Sequence, residues 1–214
     1  MPNKLFSLFI YIFIISSCQS TKFSGDITDL KGNVCRSMQG KGRILVAGRK
    51  QVFSFRTLYM PEELKYSVDF TFPVYGTENV NLEYIPENIE KGMSPFNIES
   101  SFEKRLLREK ESANPELISN FLEIWAEYFE ELLVSDNLIN MNYANKFKWN
   151  KEADKLVSKI ERDKHLSVIE FKYPSSDGYY ERMDILVRDV INAEEIILHL
   201  IVRKCLEKET EALN

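Results

Sequence analysis

Tyr66-Ser67-Val68-Asp69-Phe70-Thr71-Phe72 alternates apolar and polar residues without a break. A period of two buries one face of the backbone and wets the other, so this stretch is a strand and not a helix. The flanking segments follow the same rule. Arg43 to Ala47 and Gln51 to Tyr59 precede it, set apart by turns at Gly48-Arg49-Lys50 and Met60-Pro61-Glu62-Glu63. Val80 to Tyr84 follows, after Pro73-Val74-Tyr75-Gly76-Thr77. Every connection is too short for a parallel crossover, which predicts a four-strand antiparallel meander.

Beyond the meander, Pro86, Gly92 and Pro95 interrupt any regular element, and 86–97 reads as loop. Glu99 to Glu111 spaces Phe102, Leu106 and Leu107 as a helix would. A second helix runs from Asn114-Pro115 to about Val134, with Leu117, Phe121, Leu122, Trp125, Phe129, Leu132 and Leu133 on one face. Pro115 suits the first helical position and Asn114 the cap. This apolar face is expected to pack on the sheet.

Residues 150–163 fit a helix through Ala153, Leu156, Val157 and Ile160, or a strand through Leu156, Ser158 and Ile160. Local pattern leans to helix. Leu166 to Tyr173 and Tyr179 to Asp189 form a hairpin about Ser176-Asp177-Gly178. Ile196 to Cys205 is apolar on both alternating faces, as an interior strand would be, with a helix as the alternative that its flanking glutamates leave open. Leu206 to Asn214 reads as a short polar helix or a frayed tail. Ahead of the meander, 19–26 is a polar tether, and Asp26 or Thr28 caps a short helix predicted to run to about Met38.

The amino terminus bears on location. Lys4 precedes an apolar run, Leu5 to Ile15, too short to cross a bilayer core of about 30 Å at about 1.5 Å per residue. It reads as an export signal. Ile15-Ser16-Ser17-Cys18 resembles the lipobox of bacterial lipoproteins. That resemblance implies cleavage before Cys18, a diacylglyceryl group on its thiol, and a further acyl chain such as palmitate on the new amino terminus. An uncleaved amphipathic anchor and an ordinary secretory signal are the alternatives. The expected organisation is a signal peptide at 1–17, a lipidated terminus and tether at 18–28, and a single domain at 29–214. Gln19 stands where an aspartate favours inner-membrane retention in some bacteria, which implies the outer membrane.

Composition narrows the function. A chain of 214 residues suits one domain with a real core. Its net charge of −5 argues against nucleic acid or anionic lipid as the main partner. The 14 Phe and 10 Tyr suit a β-rich fold with a wide apolar interior. With Cys18 lipidated, Cys35 and Cys205 remain, either as a disulfide in an oxidising envelope or as two buried thiols. His165 and His199 are too few and too scattered for a metal site, and no cofactor motif is present. His199, between Ile197 and Ile201, reads as a hydrogen-bonded core histidine. No Gly-x-Ser-x-Gly elbow, phosphate loop, Cys-x-x-Cys or carboxylate pair appears, so the chain does not read as an enzyme. The mixed charges of Glu103 to Glu111 describe a solvated helix face.

Three short motifs point further. Gly42-Arg43-Ile44 opens the first strand, Pro61-Glu62-Glu63-Leu64-Lys65 precedes the third, and Phe72-Pro73-Val74-Tyr75-Gly76-Thr77 follows it. With the order of elements, they resemble the LolA/LolB-like family of lipoprotein carriers and receptors. The resemblance implies a mainly β fold with helices (α+β), a curved antiparallel sheet or unclosed barrel wrapped around a helical lid. It also implies that 154–162 is strand, against the local pattern. Acyl chains of lipoproteins or lipids would enter the cavity and be passed on at the outer membrane, on its periplasmic face, without covalent chemistry. A periplasmic carrier protein and membrane lipid held through acylated Cys18 are the implied partners. The family's exposed apolar tip falls on Val74 or Tyr75. These residues would be a knob touching membrane or cargo, or they would fold back on 86–97. Phe53, Phe55, Phe70, Phe72, Leu82, Tyr84 and Trp125 would line the acyl cavity, or simply pack as core. In the second case the chain is a non-enzymatic envelope interaction lipoprotein with a filled cavity.

Overall fold

The computed structural model describes residues 24–25, 34–108, 114–135, 147–152 and 154–206. The expected signal peptide, Cys18 and the tail beyond Leu206 lie outside them. Eleven strands form one antiparallel sheet: β1 Ser24–Gly25, β2 Met38–Val46, β3 Arg49–Met60, β4 Lys65–Phe72, β5 Gly76–Tyr84, β6 Phe96–Ser100, β7 Trp149–Glu152, β8 Lys155–Arg162, β9 His165–Pro174, β10 Tyr180–Asp189 and β11 Glu194–Cys205. Their order across the sheet is β1-β7-β8-β9-β10-β11-β2-β3-β4-β5-β6. The sheet is curved and unclosed, with β1 and β6 at its edges. Among the described residues three α-helices accompany it, α1 Glu87–Glu90, α2 Ser101–Arg108 and α3 Pro115–Ser135, with a single 3-10 turn at Pro61–Glu63.

The expected meander is present as β2 to β5, and the alternation of 66–72 sets its register. Tyr66, Val68, Phe70 and Phe72 face inward and are buried, whereas Asp69 and Thr71 face out. Two glycines let the inner aromatics lie flat. Gly40 pairs with Phe55 and Gly42 with Phe53 across β2 and β3. A Cβ on Gly42 would run into the Phe53 ring, so the strand needs glycine where the backbone is approached this closely.

α3 crosses the inner face against β5, β6, β10 and β11. Asn114 Oδ1 accepts from the Glu116 amide at 3.0 Å, which makes it the cap expected ahead of Pro115. Along the helix, Trp125 meets Phe70, Tyr128 meets Phe171, and Phe129 meets Tyr59 and Tyr66. Lys164 bonds Glu116 at 2.6 Å and Arg162 bonds Glu127 at 2.8 Å, tying the helix to the β8–β9 turn.

Several expectations are corrected. The helix predicted to reach Met38 is absent from residues 34–38; its earlier part lies outside the described residues. Polar bonds to β3 hold this segment extended. The buried Thr57 hydroxyl donates to the Arg36 carbonyl and accepts from the Met38 amide, both at 2.9 Å, and Ser37 Oγ accepts from the Tyr59 amide at 3.0 Å. The predicted loop 86–97 contains α1 and the start of β6, because Phe96-Asn97-Ile98-Glu99-Ser100 supplies an edge partner for β5. Part of the tether, Ser24–Gly25, pairs with Trp149 and Asn150 and so covers the β7 edge. The local helical leaning at 150–163 gives way to β7 and β8. Ile196 to Cys205 is indeed interior, between β10 and β2.

Cys35 and Cys205 are joined by a disulfide, with Cα atoms 5.7 Å apart across a sequence separation of 170. It fastens the entry to β2 to the end of β11.

Candidate functional site

Four hairpin turns share one end of the sheet, as their registers require. They follow the pairs Val46↔Arg49, Phe72↔Gly76, Arg162↔His165 and Asp189↔Glu194. Two of them carry exposed apolar residues. Val74 and Tyr75 are 82% and 60% exposed, and Val190 and Ile191 are 56% and 74% exposed. Turn tips ordinarily carry Gly, Asn, Asp or Ser, so four large apolar side chains at one end form an unusual rim.

The backbone of the β10–β11 turn is fixed by its own side chains. In the β10–β11 turn, Asp189 Oδ1 accepts from the amides of Ile191 and Asn192 at 2.9 and 3.0 Å, and Oδ2 accepts from the Asn192 side chain at 2.9 Å. These bonds, the Asn192 amide foremost, hold the Asp189 carboxyl below the ordinary carboxylate range. Between the two apolar tips, Ala47 and Gly48 both take positive φ, 48° and 75°, in the two-residue β2–β3 turn.

A cavity opens on this rim. It has a volume of about 690 Å³ and lies between the β2–β3 and β10–β11 turns, with Leu117 near the start of α3 as its inner wall. Leu45, Ala47, Val190 and Ala193 supply apolar surface, and Arg188, Glu194 and Glu195 a charged margin. Arg188 is held by Glu195 at 2.6 Å. The cavity is assembled from turn residues distant in sequence, and periodicity could not reveal it.

The seven residues predicted to line an acyl cavity occupy a different place. Phe53, Phe55, Phe70, Phe72, Leu82, Tyr84 and Trp125 are all buried, none more than 4% exposed. They pack on one another and on α2 and α3. Phe70 lies 5.0 Å from Phe53, 5.0 Å from Phe102 and 5.7 Å from Trp125, and Phe72 stacks on Phe102 at 6.2 Å. Edge and offset packing at these distances fills the inner face.

The Val74-Tyr75 tip does not fold back on 86–97. The Arg105 guanidinium of α2 lies over the Tyr75 ring at 4.4 Å and over Phe72 at 3.9 Å, and its Nη2 donates to Gln51 Oε1. Arg105 is 9% exposed, although its charge run reads as a solvated face. Its role leaves no signal in the sequence, since the helix register says nothing of an aromatic tip about thirty residues earlier.

His199 faces the outer side of the sheet and is not a core residue. Its Nδ1 lies 2.7 Å from Asp184 Oδ1 and 3.2 Å from Arg182 Nη2. One nitrogen cannot both donate to the carboxylate and accept from the guanidinium; the shorter contact puts the proton on Nδ1. Arg182 Nε and Lys172 Nζ also reach Asp184, at 2.8 and 3.2 Å. Burial pushes the Asp184 carboxyl up, but the hydrogen bonds from Arg182 and His199 outweigh it and hold the group low. No group of three or more His, Cys, Asp or Glu side chains able to hold a metal occurs among the described residues. Nor does a helix among them have the length and apolarity to cross a membrane.

No protein-family model and no curated protein matches the chain. A solved domain from Vibrio parahaemolyticus, to which outer membrane lipoprotein sorting is ascribed, aligns over 85% of this chain and 92% of its own length. The identity is 9% and the TM-score 0.31, so the description of the fold stands on this chain's own geometry.

Proposed function

We propose that this chain is a LolA/LolB-like lipoprotein, anchored through acylated Cys18 to the periplasmic face of a bacterial outer membrane. It takes up acyl chains of lipoproteins or lipids at the rim and releases them to the membrane without breaking a bond. The observation that carries this reading is the cavity of about 690 Å³ at the turn end, on the same rim as Val74, Tyr75, Val190 and Ile191. A ligand pocket of ordinary size holds about 300–1,000 Å³, and exposed apolar tips beside one give a fatty chain a path between protein and bilayer. The acyl site is therefore assigned to the rim and not to the aromatic interior. The sequence motifs at Gly42, Pro61 and Phe72 to Thr77 support the same reading.

Protein purified without the lipid on Cys18 should carry acyl chains detectable by mass spectrometry. Leu45→Trp, which narrows the cavity, should lower their amount. Val74→Glu with Tyr75→Glu should leave binding intact and slow release to vesicles. Absence of any bound acyl chain would remove the carrier reading.

One arrangement favours a second reading. The packed rings of Phe53, Phe70, Phe72, Phe102 and Trp125 leave the inner face filled, as in an envelope interaction lipoprotein that holds a protein partner by its outer surface. Loss of the carrier activity with retention of the fold would leave that reading.

A further inference from the structure

The outer face of the sheet carries a second concavity, unrelated to the rim. It has a volume of about 270 Å³ and is lined by Lys41, Arg43, Lys50, Arg182 and His199 around Val52 and Ile201. The ladder registers explain why these side chains converge. Arg182, Ile201 and Lys41 stand in one row across β10, β11 and β2, and Asp184, His199, Arg43 and Val52 in the next row. Ile201 and His199 thus form a floor, with Arg182 on one wall and Lys41, Arg43 and Lys50 on the other. At about 4.8 Å between neighbouring strands, the walls rise about 10 Å apart.

The charge is unbalanced where the chain as a whole is acidic, at −5. Asp184 is the carboxylate beside the groove, and it is already engaged by Arg182, His199 and Lys172. Lys41, Arg43 and Lys50 have no acidic partner among the described residues. Like charges set side by side on a sheet repel, so this arrangement disfavours the empty groove and favours an anion in it. Asp184 serves by fixing the Arg182 fork and the His199 ring in place.

We infer that this groove binds a phosphate monoester. Two guanidinium groups offer the planar, paired donors that suit phosphoryl oxygens. Three unneutralised cations suit a group carrying about −1.5 to −2 better than a single carboxylate. The volume equals about nine waters at roughly 30 Å³ each, so a phosphoryl group fits with a short organic stem attached. Val52 and Ile201, 55% and 46% exposed, give that stem an apolar contact. The group comes either from a small soluble ester or from a lipid headgroup, and both present the same chemistry.

The full chain, purified in a non-ionic detergent, is titrated calorimetrically with glycerol 3-phosphate, and separately with mixed micelles containing phosphatidic acid or phosphatidylcholine. Saturable binding at one site is expected for glycerol 3-phosphate, for phosphatidic acid, or for both, and none for phosphatidylcholine. Response to the first alone identifies a soluble ester, and response to phosphatidic acid alone a lipid headgroup. Lys41→Gln with Arg43→Gln should weaken binding at least about tenfold. Both positions are solvent-facing, so the fold should survive, as a thermal melt would verify. Lys91→Gln with Lys104→Gln makes the same change in net charge away from the groove and should leave binding unchanged. Failure of both phosphate monoesters to bind, or equal weakening in the two double variants, overturns the assignment.

Discussion

The guanidinium of Arg105 is sandwiched against two rings of one hairpin, 3.9 Å from Phe72 and 4.4 Å from Tyr75. Phe72 ends β4 on the buried face and Tyr75 stands in the exposed turn, so one cation ties the tip to the core. Cation–π contacts that are partly desolvated contribute about 1–2 kcal/mol. Arg105→Met, which keeps the length and removes the charge, should lower stability by about that amount in urea denaturation. Tyr75→Leu should then cost less in the Arg105→Met background than alone. Strict additivity of the two changes would show that the stacking holds nothing.

Phe70 is wholly buried and touches Phe53, Phe102 and Trp125. Phe70→Ala should cost about 3–5 kcal/mol, from lost burial and the cavity left among rings that cannot collapse. Phe70→Asp should cost more, because it adds an unpaired charge at the same point. Equilibrium unfolding of both variants checks the order.

Asp184 gives a pH signature. Its folded carboxyl titrates below its unfolded value, since the bonds from Arg182 and His199 outweigh burial. The stabilisation is therefore complete above the unfolded value of about 3.9 and is lost as pH falls through the depressed folded value. Asp184→Asn should be less stable than the native chain near neutral pH, and the gap should narrow only below about pH 4. A gap that closes between pH 5 and 7 would point to another group.

Reduction of the disulfide between Cys35 and Cys205 removes a constraint across 170 residues. The chain-entropy relation puts its contribution at about 5 kcal/mol, and native disulfides typically contribute about 2–5. Cys35→Ser with Cys205→Ser should lower the urea midpoint accordingly. An unchanged midpoint would mean that the unfolded chain is not restrained by the bridge.

What could be read from sequence followed which faces are buried. Residues 66–72 lie with one side in the core and one in water, so the period of two is written plainly. α3 shows its helical period for the same reason. β8 does not, because Leu156, Val157 and Ser158 are buried in succession and erase the alternation. β6 was short, and Pro95 and the following helix masked its five alternating residues. The segment before Met38 is shaped by Thr57 and Ser37, two polar residues whose partners lie about twenty positions away. The site was less legible than the fold. Val74 and Tyr75 were visible as odd residues for a turn, but the matching pair Val190 and Ile191 becomes meaningful only when the ladders bring both turns to one end. The same holds for Lys41, Arg43 and Arg182, which are unremarkable singly and significant as neighbours across three strands.

The position of β11 between β10 and β2 bears on how the protein is made. β2 leaves the ribosome well before β11, one of its two neighbours, because β3 to β10 all lie between them in the chain. The sheet is thus completed at its middle, not at an edge. Until Glu194 to Cys205 has emerged, β2 and β10 each keep an open side, and open strand sides invite pairing with other chains. Cys35 meanwhile waits as a single thiol. A premature stop before Glu194 would not trim this fold; it would leave two half-sheets facing each other across an empty strand.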